Sequence, residues 1–343
     1  MLHKILRFFI VAGTLVSGLL LAPVAAASGP VFQFTIHYPG KTGGGMDCMV
    51  VDPTTRRLYF APKENQTVDV LDLATGRTIA QMQGAVTNFN PKAPPIAQWS
   101  GVNCMAVAPE FKKLYVADAP DNSMHVFDTS TNSQVAVVPT NGKTPDAVSY
   151  DPIDKKVYVT NGDSNNVTVF DAASLKQVGQ VTLPGGPELS AWDGFDGSIL
   201  QNLSGTHQMA KINPATDTIQ VVFNMPAGCE PHGVTVNPAN QDAFIGCVGP
   251  ADLVINAGDG SLVSASNHAY FSDITCFDPK YQRFSTVSIR SGQLAAFDAL
   301  RFFDWLGNGD VKAATGSHNC AVDPTDGWMY IGSASGIQAF SPF

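Results

Sequence analysis

Short apolar runs alternating with polar turns dominate the chain. The clearest stretch is "KKVYVTNGDSNNVTVFDAASLKQVGQV", residues 155 to 181. Its β-branched runs (Val157 to Thr160, Val167 to Phe170) are separated by Asn-, Asp-, Gly- and Ser-rich turns, which predicts an antiparallel meander. "DAVSYDP" just before it adds a short strand that ends in an Asp-Pro turn. The same four-strand unit recurs with starts at Asp47, Asn103, Asp146, Glu188, His232, Asp273 and His318. The spacing is about 43 residues, and four strands at that period predict a β-propeller. The first interval is longer because "QGAVTNFNPKAPPIAQWSG", residues 83 to 101, is inserted between the first two units.

The last unit has only three strands before Phe343. "VFQFTIHYPG", residues 31 to 40, is a spare strand ahead of the first unit and is expected to pair with the last. The fold class is therefore all-β: a single seven-bladed β-propeller over residues 28–343, closed by the N-terminal strand. Closure removes the sheet edges that would otherwise invite aggregation.

Residues 1–27 read differently. His3, Lys4 and Arg7 precede the apolar "FFIVAGTLVSGLLLAPV", and "AAASGP" offers a small-residue cleavage site after Ala27. This layout predicts a signal peptide and a periplasmic or secreted product. The formal net charge is −9, with Lys+Arg 20 against Asp+Glu 29, and the segment to be removed carries no acid. So acidic a chain lacks the basic footprint of a nucleic-acid binder. All six cysteines lie beyond the leader, none in a Cys-x-x-Cys pair, which favours disulfides over a zinc site. Cys229 and Cys247 fall at the same end of the fifth unit and are the best pairing. Cys276 and Cys320 can face each other from adjacent blades. Cys48 and Cys104 hold equivalent places in adjacent blades, with free buried thiols as the alternative.

"RLYFAP", "KLYVAD" and "KVYVTN", each followed by a polar turn and a "V-x-V-x-D" run, resemble the repeats of YVTN-type β-propellers. The wider superfamily includes lactonase-like enzymes and large subunits of amine dehydrogenases. The resemblance covers nearly all of the chain beyond the leader and implies the fold. Its letters are strand and turn residues, so it implies little about activity.

The seven strand starts are all polar. In a propeller they gather near one mouth of the central channel. Asp47, Asp146, Glu188, His232, Asp273 and His318 are thus candidate metal ligands, with Asn103 completing the ring. Ca²⁺ or Mg²⁺ suits the oxygens, and Zn²⁺ or Cu²⁺ the imidazoles. Polar starts that merely line a hydrated channel are the alternative. Loops between second and third strands bring Glu64, Asn65, Asp118, Asp121, Asn161, Asp163, His207 and Arg290 to the same face, and loops between blades add His37 and His268.

Two function classes follow. One is a scaffold that binds a small anionic ligand or an exported protein partner at the channel mouth. The other is a lactonase, cycloisomerase or lyase in which Glu188, His207, His232 or His318 exchange protons and Arg290 holds the anion. In the insertion, Phe89 and Trp99 either cover the mouth or fill a gap between blades. No phosphate-binding loop or Gly-x-Ser-x-Gly elbow is present.

Overall fold

A computed structural model describes residues 29–41, 45–93, 98–300, 317–333 and 335–343. Residues 1–27, expected to be a leader, and residues 301–316 of the second long connector lie outside the described residues, as do residues 94–97 of the insertion.

The strands form seven radial sheets. Six have four strands, and the blade opening at Ser272–Asp278 has three among the described residues. In blade 3 the strands are Pro145–Asp151, Lys156–Asn161, Asn166–Asp171 and Gln177–Thr182, paired in sequence order. The innermost strands touch their neighbours cyclically, from Met49–Asp52 round to Ala321–Val322 and back. The ring is closed by Val31–Ile36, which pairs antiparallel with Gly336–Ser341. The expected closure by the N-terminal strand is what the structure shows.

Burial explains the layout. Second and third strands, such as Ile199–Leu203, are buried along their whole length, whereas the outer strand Ser133–Pro139 alternates exposed and half-buried residues. Middle strands are covered by the neighbouring blades on both faces, so they read as continuous apolar runs. Apolar clusters sit between blades: Tyr115, Val126 and Ala106 of blade 2 pack on Val148, Val157 and Phe170 of blade 3. Each such side chain contributes about 1.5–3 kcal/mol by leaving water.

The Asp-Pro pairs are turn residues, as their chemistry predicts. Asp52, Asp151, Asp278 and Asp323 each accept a hydrogen bond from the backbone N–H two residues on, at 2.8–2.9 Å. All lie at the end of the channel away from the strand starts.

Three disulfides are formed: Cys48–Cys104, Cys229–Cys247 and Cys276–Cys320, with Cα–Cα distances of 4.6, 5.0 and 6.1 Å. The first and last join neighbouring inner strands across the channel wall. The middle one ties the entry of the inner strand of blade 5 to the end of its second strand.

Candidate functional site

Five of the seven strand starts sit beside an irregularity in strand pairing. In blades 2 to 6 the inner strand carries an extra residue at its beginning; in blade 3 the shift falls between Pro145 and Val148. The ring residue is inside this bulge, released from regular pairing, as bulges often do where a side chain must be re-aimed. All seven ring residues are half-buried.

The structure brings five of them together. Asp47, Asp146, Glu188, His232 and Asp273 line a pocket of about 190 Å³ at the channel mouth, with Cys104, Leu189 and Ile274 as its apolar floor. His318 stands behind Asp47, its Nε2 3.1 Å from Asp47 Oδ1. Asn103 turns aside and donates to the Pro145 carbonyl at 3.1 Å.

The carboxylates are not equivalent. Asp47 Oδ2 is 2.6 Å from Lys63 Nζ. Burial alone would raise the Asp47 pKa, but Lys63 and His318 together outweigh it and hold the carboxyl well below the usual range. Asp146 makes no hydrogen bond or ion pair among the described residues. Burial first, then the charges of Glu188, Asp47 and Asp273, push its pKa up to about 8. Burial also raises Glu188, partly offset by His232. His232 Nδ1 lies 3.5 Å from Asp273 Oδ1 and 3.7 Å from Glu188 Oε2. Burial would lower the imidazole pKa, but the Asp273 contact and the Glu188 charge overcome it and raise it. The mouth thus holds one carboxylate kept ionised, one carboxyl kept protonated near neutrality, and an imidazole between two acids.

The close approach of His232 to Asp273 depends on its neighbour. A Cβ added at Gly233 would lie 2.1 Å from the Asp273 carbonyl oxygen and 2.9 Å from the Thr275 nitrogen. Gly233→Ala should therefore force blades 5 and 6 apart. The expected cost is roughly 1–3 kcal/mol in chemical unfolding. An unchanged midpoint would mean that the inner strands are not pressed together there.

Other predicted residues are not in the pocket wall. His207 has φ +54 and caps the turn after Ser204–Thr206, where blades 2 and 3 place Asn122 and Asn165. Its Nδ1 is 3.1 Å from the Cys229 carbonyl. It is a left-handed turn residue rather than a ring member. Arg290 is exposed and lies over the Phe271 ring, 3.3 Å from its centroid, so it is stacked rather than aimed at the mouth. His37 Nδ1 meets the Ser335 carbonyl at 3.0 Å, and His268 packs against Phe297. In the insertion, Asn88–Phe89 pairs with Trp99–Ser100, and the Phe89 side chain is exposed.

Lys63 and His125 were not singled out by the sequence. Lys63 sits in the turn "APKENQ" and reaches the ring only through the fold. His125 is buried in the third strand of blade 2, with Nε2 2.8 Å from Asp121 Oδ2 and Nδ1 2.9 Å from Gln134 Nε2. The signal was present: Asp69, His125 and Thr168 are equivalent polar residues in otherwise apolar third strands. Among the described residues, Asp118, Asp121 and His125 are the group of three whose ligand atoms all lie within 4.8 Å of one another. Both His125 nitrogens already have hydrogen-bond partners there. The ring residues are not among such groups in the described residues.

Residues 32–183 match the family model described as lactonase, 7-bladed beta-propeller.

The match spans blades 1 to 3 and includes Asp47, Asn103 and Asp146, but covers less than half of the chain. No curated protein matches. Among solved structures, hydrazine synthase of Kuenenia stuttgartiensis superposes with a TM-score of 0.72 at 15% identity, over 88% of this chain and 97% of that one. At that identity the likeness is one of fold. Fold and lactonase-type repeats agree with the resemblance drawn from "KVYVTN" and its counterparts.

Proposed function

We propose that the channel mouth is a binding site for a small organic ligand that is neutral or positively charged. One observation carries this reading: four carboxylates from four blades converge on one pocket, and Asp146 has no cationic partner. Crowded carboxylates lower their mutual repulsion by taking up a proton or a cation. A pocket of about 190 Å³ has room for an ammonium-bearing or hydroxyl-rich molecule, whereas a bare Ca²⁺, Mg²⁺, Zn²⁺ or Cu²⁺ ion would fill little of it. An anionic ligand would rely on Arg290, which stacks on Phe271 instead. Three disulfides, together with the leader-like residues 1–27, support work outside the cytoplasm. Calorimetric titration with small organic ammonium compounds and polyols checks the reading, with Ca²⁺ as a comparison. Glu188→Gln should weaken the binding of the organic cation at least about tenfold, as expected when a charged hydrogen-bonding partner is lost. Equal affinity in both proteins would remove the ring from the site.

A second reading is favoured by the separation of the ring's acidities. Groups whose pKa values are pushed apart are suited to general acid and base roles. In a hydrolase of lactones, His232 would orient or deprotonate water, and protonated Asp146 would donate to the leaving oxygen. The family match over residues 32–183 supports testing it. Lactone hydrolysis should then fall about 100-fold or more in His232→Gln and in Asp146→Asn, the usual scale of acid–base catalysis. Wild-type rates in both variants would eliminate this chemistry.

A further inference from the structure

Below the acidic ring the channel changes character. A second cavity of about 540 Å³ runs from the ring to the Asp-Pro turns at the opposite mouth. Its wall is mainly apolar, with Met49, Met105, Val148, Val234 and Ala321 contributed by different blades, and two disulfides set into it. Cys104, Leu189 and Ile274 belong to both cavities, so the floor of the acidic pocket is the ceiling of the apolar one. Pro53, Pro238, Pro279 and Pro324 rim the far end. A channel that served only as a water column would gain from polar walls, because water needs two or more polar partners to be held. Here the polar side chains are concentrated at one end.

We infer that the channel accepts an amphiphile, with a cationic head at the Asp146–Glu188–Asp273 ring and an unbranched apolar tail along the wall below. This rests on the reading of the ring as the ligand site and adds the chemical class of the ligand. The head is assigned by charge: of the four acids lining the pocket Asp47 is already paired with Lys63, which leaves Asp146, Glu188 and Asp273 with His232 among them. The tail is assigned by continuity, since no polar layer separates the two cavities at Leu189 and Ile274. Length fits as well. From Asp146 to Asp151 an inner strand advances five residues, about 17 Å at 3.4 Å per residue, which sets the depth available to a tail. The apolar wall supplies affinity, and the ring fixes which way the molecule lies.

The test is a calorimetric titration of the folded protein with methyl-, butyl-, octyl- and dodecylammonium below their aggregation concentrations. Butyl, octyl and dodecyl sulfates serve as controls with the same tails. Affinity for the ammonium series should rise roughly fourfold per methylene, following apolar transfer, and level off once the tail fills the channel. The sulfates should bind far more weakly. Thr235→Trp, which places a large ring in the wall of the apolar cavity and outside the acidic pocket, should abolish the dependence on tail length while methylammonium still binds. Retained circular dichroism would show that the variant folds. If methylammonium binds but tail length has no effect, the channel inference fails and the ring reading survives. If no ammonium compound binds, the channel inference fails, and the ring reading fails with it only if the polyols do not bind either. Equal binding of sulfates and ammonium compounds would overturn the assignment of the head.

Discussion

Replacing Cys48 and Cys104 together by Ala should lower the unfolding free energy by about 4 kcal/mol. The bridge spans a sequence separation of 56 residues, which takes in the whole of blade 1. Loop-closure entropy in the unfolded chain grows with the length enclosed, so long bridges stabilise most. The link also joins the inner strands of blades 1 and 2 at the channel wall, next to the insertion that lengthens their connection. Chemical denaturation under oxidising conditions measures the effect. The variant should unfold at lower denaturant, and wild type treated with reductant should move in the same direction. A loss under about 1 kcal/mol would mean that the unfolded chain gains little freedom when the bridge is absent.

Asp146→Asn should stabilise the protein at neutral and alkaline pH and have little effect in acid. The sign follows from proton binding. The Asp146 carboxyl has a folded pKa of about 8 against an ordinary value of 3.8. Between those values the folded state keeps a proton that the unfolded state has released. Stability attributable to this residue therefore falls as pH rises from about 4, and stops falling above about 8. His232, raised in the folded state, acts in the same direction at higher pH, because its favourable contacts vanish as it deprotonates. Asp47, held low by Lys63 and His318, acts oppositely: its contribution is present at neutral pH and is lost only in strong acid. Asparagine keeps the shape of Asp146 without the charge. At 1.36 kcal/mol per pKa unit the rise from 3.8 to about 8 corresponds to roughly 6 kcal/mol, and solvent screening of the half-buried carboxyl brings the expected gain over wild type to roughly 3 kcal/mol above pH 8. Thermal unfolding of both proteins across this pH range gives the difference directly. Because Asp252 is also raised to about 8 but is untouched by the substitution, its effect cancels between the two proteins. A constant difference at every pH would show that Asp146 titrates normally.

The fold was legible because a propeller repeats its errors and its rules alike. Strand starts from Asp47 to His318 could be aligned by the turn five residues later, and the alignment placed them at one mouth. The spare strand at Val31–Ile36 and the missing strand after Gly336–Ser341 implied one another. All three disulfides fell on pairs that the blade register brings close. The site was less legible, for local reasons. His207 looked reactive, yet it fills the left-handed turn position that Asn122 and Asn165 fill elsewhere, a role sequence alignment of the turns would have revealed. Arg290 looked like an anion clamp, but Phe271 offers its ring first. Lys63 belongs to a turn whose residues vary from blade to blade, so no periodicity marks it. The apolar channel was hidden because Met49, Val148 and Val234 obey the same hydrophobic rule whether they face a neighbouring blade or an open cavity.

The central claim is that the ring at the channel mouth binds a cationic or hydroxylated ligand through carboxylates that compete with protons. Isothermal titration of octylammonium into wild type and Asp146→Asn, at pH values below and above about 8, tests it most directly. Wild-type affinity should rise as Asp146 loses its proton, with proton release on binding below that point; Asp146→Asn should match wild type below about pH 8, bind more weakly above it, and keep only the smaller pH dependence that His232 contributes. Affinity that is the same in both proteins at both pH values would contradict it.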